Sequence, residues 1–197
     1  MTTIEDDLEE NTLEKEIEKE VISMRLKEVD TVRSIIEKRY PSYGILKDFI
    51  DHLASTEKVF ILAGIKKFGG DEIMELFIES ETEVMASDTG IDKDVFSHIK
   101  EEFSRTHKTI SGIKSVADKL RERYPQGEKF IAYIEDYLIL LLEASRDDKL
   151  GEFDIDKEKE KTIHEMMVEI AENDKAEIEE LEKIYQEFKE ELKKTTD

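Results

Sequence analysis

The chain has 197 residues, 41% of them charged, and a formal net charge of −21 at neutral pH. Repulsion between like charges disfavours nucleic acid and anionic membrane surfaces, so we expect neither as a partner. Because the sequence contains no cysteine, disulfides, thiolate zinc sites and cysteine nucleophiles are excluded.

The composition favours helices throughout the chain. Glycine occurs 8 times and proline only 2 times, and the charged residues are mostly Glu and Lys, which are good helix formers. No basic segment followed by an apolar one begins the sequence, so no signal peptide is predicted. The longest apolar runs, 59–65 and 137–142, are far shorter than the about 20 residues of a membrane span. We therefore expect an all-α protein of the cytoplasm.

The first predicted helix covers residues 12–40. Its apolar residues recur every three or four positions, which is the helical period. Pro41 ends it, because the residue before a proline avoids the helical region. Residues 1–11 are acidic and show no such period, so we expect a disordered N-terminus.

A second predicted helix covers residues 43–68, either as one helix or as two shorter ones. The apolar run 59–65 also fits a buried strand, but no other segment offers a partner strand, so helix is favoured. Gly69-Gly70 ends this segment, and Asp71 is predicted to cap a third helix that ends near residue 86.

The second half of the chain repeats this order of elements. Asp92 can cap a fourth helix, and Pro125 stops it at Tyr124. The elements that follow are a helix over 127–145, a loop over 146–154, one long helix over 156–194 and a frayed tail at 195–197. At about 39 residues, the last helix is the longest of about six.

An internal repeat is visible when the sequence is displaced by 84 positions. The tripeptide Arg39-Tyr40-Pro41 then coincides with Arg123-Tyr124-Pro125. Three further pairings accompany it: Leu26 to Ile36 with Ile110 to Leu120, Phe49-Ile50-Asp51 with Tyr133-Ile134-Glu135 and, after six more residues, Ile73 to Glu79 with Ile163 to Glu169. We predict a tandem duplication of a three-helix unit, 12–90 and 91–194, packed as one domain.

The repeated Arg-Tyr-Pro has a structural interpretation. An arginine in the last turn of a helix interacts favourably with the exposed carbonyls and the helix dipole. A tyrosine buries its ring and keeps its hydroxyl near water, and the proline stops the helix. A ligand site shared by the two repeats is the less favoured interpretation.

Candidate metal ligands are few. The Glu-x-x-His pairs of di-iron bundles are absent, since none of the four histidines follows a glutamate at that spacing. The weak candidates are Asp48 with His52 and Glu160 with His164, four residues apart on one helix face; Asp94 and His98 share this spacing. In so acidic a chain, such pairs arise readily by chance. His107 lies on an apolar stripe, so we expect it in the core or at its rim.

Other catalytic motifs are equally scarce. No nucleophile elbow is present, and residues 64–71 lack the Gly-Lys-Ser/Thr of a phosphate-binding loop. We therefore predict no catalytic residues, no cofactor and no enzyme activity.

The long final helix carries an apolar stripe with coiled-coil spacing. Its predicted interaction residues are Ile178, Leu181, Tyr185, Phe188 and Leu192. This part of the helix extends beyond the end of its counterpart in the first repeat. Its apolar stripe must therefore be covered by another helix. Two partners fit it: the extended start of the first helix, with Leu13, Ile17 and Val21, or another chain.

These patterns predict a non-enzymatic, acidic helical module for protein–protein interaction or assembly, which self-associates. The alternative is a helical bundle that binds a metal ion or a small ligand between the two repeats. A third hypothesis, a regulatory partner of a basic protein, rests on net charge alone.

Overall fold

The chain folds into helices alone wherever its conformation is described, in the computed structural model of its full length. The described ranges are 4–40, 44–64, 72–144, 157–174 and 176–196. They contain seven α-helices, a short 3₁₀ turn and no strand, which confirms the predicted all-α class. The α-helices are α1 (Ile4–Arg39), α2 (Gly44–Leu62), α3 (Glu72–Thr89), α4 (Lys93–Arg123), α5 (Glu128–Ala144), α6 (Lys157–Asp174) and α7 (Ile178–Thr196).

Two compact units divide the chain, and each has its own core. The first contains residues 1–104 and the second residues 105–197. The division falls inside α4, whereas the sequence placed the boundary in the turn before it, at residue 90. The N-terminal third of α4 therefore belongs to the first unit, and the remainder of α4 belongs to the second.

The first unit is organised around the pairing of α1 with α2. These helices run antiparallel, because Arg33 forms an ion pair with Asp51 at 3.2 Å while the earlier Asp30 meets the later Lys58 at 2.6 Å. The core between them takes one face of each helix, and α4 adds aromatic contact. The fully buried residues include Val29, Ile36, Phe49, Ile50, Phe96 and Ile99. The rings of Phe49 and Phe96 meet edge to face, with centroids 5.1 Å apart.

In the second unit, α5, α6 and α7 pack against one another, and α4 contacts α5 through Arg121 and Glu135 and α7 through Arg123 and Glu187. Its core contains Ile113, Leu120, Phe130, Leu138, Ile163 and Ile184, all fully buried. The 3₁₀ turn at Pro125–Gly127 joins α4 to α5 and packs tightly against α7. A Cβ atom added at the buried Gly127 would overlap the Cδ1 methyl group of Ile184. A side chain is therefore excluded at Gly127 unless Ile184 moves.

Buried positions of the two units can be paired helix by helix, at the predicted shift of 84 for the first helix and at other shifts for the later helices. The matched buried pairs are Val29 and Ile113, Ile36 and Leu120, Phe49 and Phe130, Leu53 and Ile134, Ile78 and Ile163, Phe96 and Leu181, and Phe103 and Phe188. The shift is 84 for the first helix, 81 for the second and 85 for the third and fourth.

The predicted pairings imply other shifts for the second and third helices. In the predicted register, Ile50 and Ile134 are both fully buried, but the fully buried Phe49 falls on Tyr133, which is 45% exposed. The buried Ile78 of α3 matches the buried Ile163 of α6 at a shift of 85 in sequence, not at the shift of 90 implied by six extra residues.

The N-terminal boundaries of the helices also differ from prediction. The first helix begins at Ile4, not at Thr12, so part of the segment predicted as disordered is helical. Residues 44–62 form one continuous helix, which settles the choice between one helix and two for that range. The predicted stop at 69–71 and the loop at 146–154 lie outside the described residues. Asp92 caps α4 as expected, accepting a bond from the amide of Asp94 at 3.0 Å.

The prediction of a single 39-residue helix over 156–194 is wrong. The structure has two helices there, because α6 ends at Asp174 and α7 begins at Ile178. The apolar stripe is interrupted between Ile170 and Ile178, and Asn173 and Asp174 favour caps and turns over helix interiors. The break lets α7 pack against α6 within the second unit, so the predicted overhang at the C-terminus is absent.

Among the residues described, no helix combines the length and the apolar character that crossing a membrane requires.

Candidate functional site

The end of α1 is pinned to α4 by a buried cluster in the first unit. Arg39 donates from Nη1 to Oε1 of Glu102 at 3.2 Å. Tyr40 donates its hydroxyl to Oε2 of the same carboxylate at 2.5 Å. The Arg39 side chain is 8% exposed and that of Glu102 only 2%, so this ion pair is shielded from water.

The end of α4 repeats this arrangement in the second unit. Arg123 donates from Nη1 to Oε2 of Glu187 on α7 at 2.5 Å, and the Tyr124 hydroxyl donates to Oε1 at 2.5 Å. These bonds, with Lys183 nearby, lower the pKa of the Glu187 carboxyl below its usual value; the Tyr124 bond is the largest cause. We call the two arrangements the Arg-Tyr-Glu clusters.

The sequence pointed to the arginine and the tyrosine of each Arg-Tyr-Glu cluster but not to its glutamate. It assigned arginine and tyrosine to the helix end but missed Glu102 and Glu187, which lie 62 and 63 residues after their tyrosines. The missed signal was the repeat itself, because Glu-Phe occurs at 102–103 and again at 187–188, at the shift of 85 that the buried residues of the third and fourth helices show. Each cluster holds a helix end in place, because its arginine and its tyrosine both donate to the same carboxylate of a distant helix.

The predicted interaction residues of α7 lie mainly inside the second unit. Leu181, Tyr185, Phe188 and Leu192 are between 1% and 6% exposed, so they form core contacts within the chain. Ile178 differs, since it is 46% exposed at the first turn of the helix. The apolar stripe of α7, which was predicted to extend beyond the bundle, is thus buried within the second unit except at Ile178.

An exposed apolar stripe is found instead on α1. Ile17, Val21 and Met24 are 54%, 42% and 44% exposed. Their spacing of four and three residues places them on one helix face. The buried core of the first unit begins only at Val29, so α1 extends beyond the helices that cover it. We call Ile17, Val21 and Met24 the α1 stripe.

The candidate metal ligands fall into two groups. On α2, Asp48 is exposed and His52 is half-buried. On α6, Glu160 and His164 line one small cavity of the second unit together. Among the residues described, no group of three or more His, Asp or Glu side chains is arranged to hold a metal ion. His107 is 5% exposed, which confirms its predicted buried position.

No family model, curated protein or solved structure matches this chain. Its function is therefore argued from its own residues. The α1 stripe comprises all three of the large apolar side chains that are exposed in the described part of α1.

Proposed function

We propose that the protein is a non-enzymatic assembly module that self-associates through α1. The supporting observation is the α1 stripe, three large apolar side chains exposed on one face of a helix that extends past its own unit. Water-exposed apolar stripes of this kind are typical of helix–helix interfaces.

The spacing of the stripe supports pairing with another helix. Positions 17, 21, 24, 28, 31 and 35 alternate steps of four and three, the spacing of a coiled-coil seam, although positions 28 and 31 are the polar Glu28 and Thr31. The seam ends at Ile35, which is fully buried in the first unit. An interface on the stripe would therefore continue the existing core along α1.

The charges along α1 favour a second copy in the antiparallel direction. Residues 4–20 contain nine acidic and two basic side chains, whereas residues 21–39 contain three acidic and five basic ones. A parallel pair would place two strongly acidic segments side by side, which is unfavourable. An antiparallel pair brings each acidic segment towards the basic part of its partner.

The expected association is weak and reversible. Burying one large apolar side chain fully contributes about 1.5 to 3 kcal/mol, and the stripe residues are already about half covered. Six such side chains in a dimer would contribute several kcal/mol, against an association cost of at least about 4 kcal/mol. Dimers should therefore dominate only at high protein concentration.

Sedimentation equilibrium from about 10 to 500 µM tests the proposal. Val21→Glu places a charge in the middle of the stripe, and the protein should then be monomeric throughout. Ser23→Glu is the matched control, because Ser23 is exposed and two residues along a helix lie on nearly opposite faces. A wild-type protein that is monomeric at every concentration, or equal effects of both variants, would contradict the proposal.

The direction of pairing can be measured separately. The chain has no cysteine, so Lys27→Cys provides one unique position for a nitroxide label. In an antiparallel pair centred near residue 19, the two labels lie about 24 Å apart along the axis at 1.5 Å per residue. A parallel pair brings them to about 10 Å, the usual distance between helix axes.

We also propose that the chain arose by tandem duplication, with a repeat of four helices instead of three. The support comes from the matched buried positions and from the two Arg-Tyr-Glu clusters. In this scheme, α4 serves as the last helix of the first copy and as the first helix of the second. Three-dimensional superposition of experimental coordinates for residues 21–104 and 105–197 provides the test.

A further inference from the structure

A small cavity lies between α6 and α7 in the second unit. Its volume is about 120 Å³, and its lining is Glu160, His164, Met167, Glu182, Tyr185 and Gln186. The polar groups of this lining are two carboxylates, an imidazole, a phenol and an amide, and His164, Glu182 and Gln186 are exposed at its rim.

The phenol of Tyr185 is the unusual member of this lining. The residue is 6% exposed, and its Oη atom is buried without a hydrogen-bond partner. Leaving a buried hydroxyl unpaired costs about 1 to 3 kcal/mol, so such groups usually have a partner. Burial, followed by the charges of Glu160 and Glu182, raises the pKa of Tyr185 to about 12, so the hydroxyl remains protonated at neutral pH.

The two carboxylates differ in their partners. Glu160 accepts a bond from Lys189 at 2.5 Å, and the same ammonium group lies 5.3 Å from the centre of the Tyr185 ring. Glu182 accepts a bond from the side-chain amide of Gln186 at 3.2 Å. Since Lys189 compensates one of the two carboxylates, the cavity keeps about one negative charge for a ligand to neutralise.

We propose that this cavity binds a primary ammonium group, carried either by a free alkylamine or by a lysine side chain. An ammonium group has three donors and no acceptor. The cavity offers acceptors of three kinds: the Glu182 carboxylate, the Tyr185 hydroxyl oxygen and the Gln186 carbonyl oxygen. The methylene chain of the ligand would contact Met167.

An ammonium ion fits this lining better than a metal ion. A divalent cation needs several close charged ligands, and within the described ranges no three His, Asp or Glu side chains are so arranged. The volume also disfavours a guanidinium group with its broad planar fork.

The test uses n-butylammonium chloride as the probe, titrated against sodium chloride at equal ionic strength. Binding is followed by NMR through the side-chain amide of Gln186 and the backbone amides of α6 and α7. Saturable shifts confined to these residues are expected. Tyr185→Phe and Glu182→Gln should each weaken binding at least tenfold.

Matched controls separate the cavity from general acidity. Glu179→Gln removes the same charge from an exposed position of α7, and binding should change less than twofold. Tyr185→Phe removes a buried hydroxyl that has no hydrogen-bond partner, so its urea midpoint should be no lower than that of the wild type. Non-saturable shifts, or equal effects of Glu179→Gln and Glu182→Gln, would overturn the proposal.

A second titration identifies the source of the ammonium group. A short peptide with one lysine is compared with the same peptide acetylated at that lysine. Tighter binding of the unmodified peptide than of butylammonium, lost on acetylation, supports a lysine of a partner protein. Equal or weaker binding of the peptide supports a free amine, and equal binding of both peptides contradicts the proposal.

Discussion

The two Arg-Tyr-Glu clusters use the same three residue types but lie in different surroundings. In the first unit, the arginine and glutamate side chains are 8% and 2% exposed; in the second, they are 54% and 25% exposed. Breaking a buried ion pair leaves an uncompensated charge, whereas an exposed pair is screened by water. The same three residue types therefore stabilise the first unit more than the second.

A second difference concerns the cores themselves. Glu57 and Thr82 are 1% and 2% exposed in the first unit. At the matched positions, shifted by 81 and 85, the second unit has Leu138 and Met167. The first unit therefore buries polar groups at positions where the second unit buries apolar ones. Because polar interactions are stronger in a buried environment, breaking the Arg-Tyr-Glu cluster should destabilise the first unit more than the second.

The largest expected effect is that of Glu102→Ala. Removing this carboxylate leaves the buried Arg39 without its Glu102 partner, so we expect the free energy of unfolding to fall by about 3 kcal/mol or more. Urea denaturation followed by circular dichroism measures the loss. Glu187→Ala is the matched change in the second unit, and equal losses would show that burial does not distinguish the clusters.

A smaller effect is expected at Gly127, whose counterpart in the first unit is the buried Leu46. Gly127→Ala forces the new methyl group against Ile184, which is fully buried and has little room to move. Overpacking of this kind costs about 1 to 3 kcal/mol. Ile184→Val removes the overlapping Cδ1 atom, so the double variant should be more stable than the sum of the two losses predicts.

The smallest effect is that of Glu187→Gln, less than about 1 kcal/mol at neutral pH. Because the pKa of Glu187 is lowered in the folded protein, its contribution is fully present above the ordinary value of 4.5. This stabilising contribution is lost as the pH falls through the lowered pKa of Glu187 in the folded protein. The stability difference between wild type and Glu187→Gln should thus be measurable at pH 7 and vanish in strong acid; a difference that grows with acid would refute it.

Sequence periodicity predicted most of the fold because apolar residues at helical spacing must be buried. The stripe of α1 from Val29 to Ile36 and that of α4 from Ile99 to Leu120 are buried as expected. The helix ends at Tyr40 and Tyr124 were also predicted closely, since each precedes a proline. In each of these cases, residues close together in the sequence were enough to predict the burial or the helix end.

What failed depended on contacts between distant residues. The break between α6 and α7 needed the knowledge that α7 packs back within the second unit, and Asp174 alone is a weak signal. The partnership of Glu102 with Arg39 spans 63 residues, and no local period reveals it. The cavity of Glu160 and His164 likewise depends on how α7 lies against α6.

Because α4 contributes to both cores, the end point of a fragment that contains only one unit determines whether its core is complete. A fragment ending at residue 90 would lack Phe96, Ile99 and Phe103, all buried in the first unit. One ending at residue 104 would sever a helix in mid-course. Overlapping fragments that both retain residues 93–123 are the ones we expect to keep their native helices.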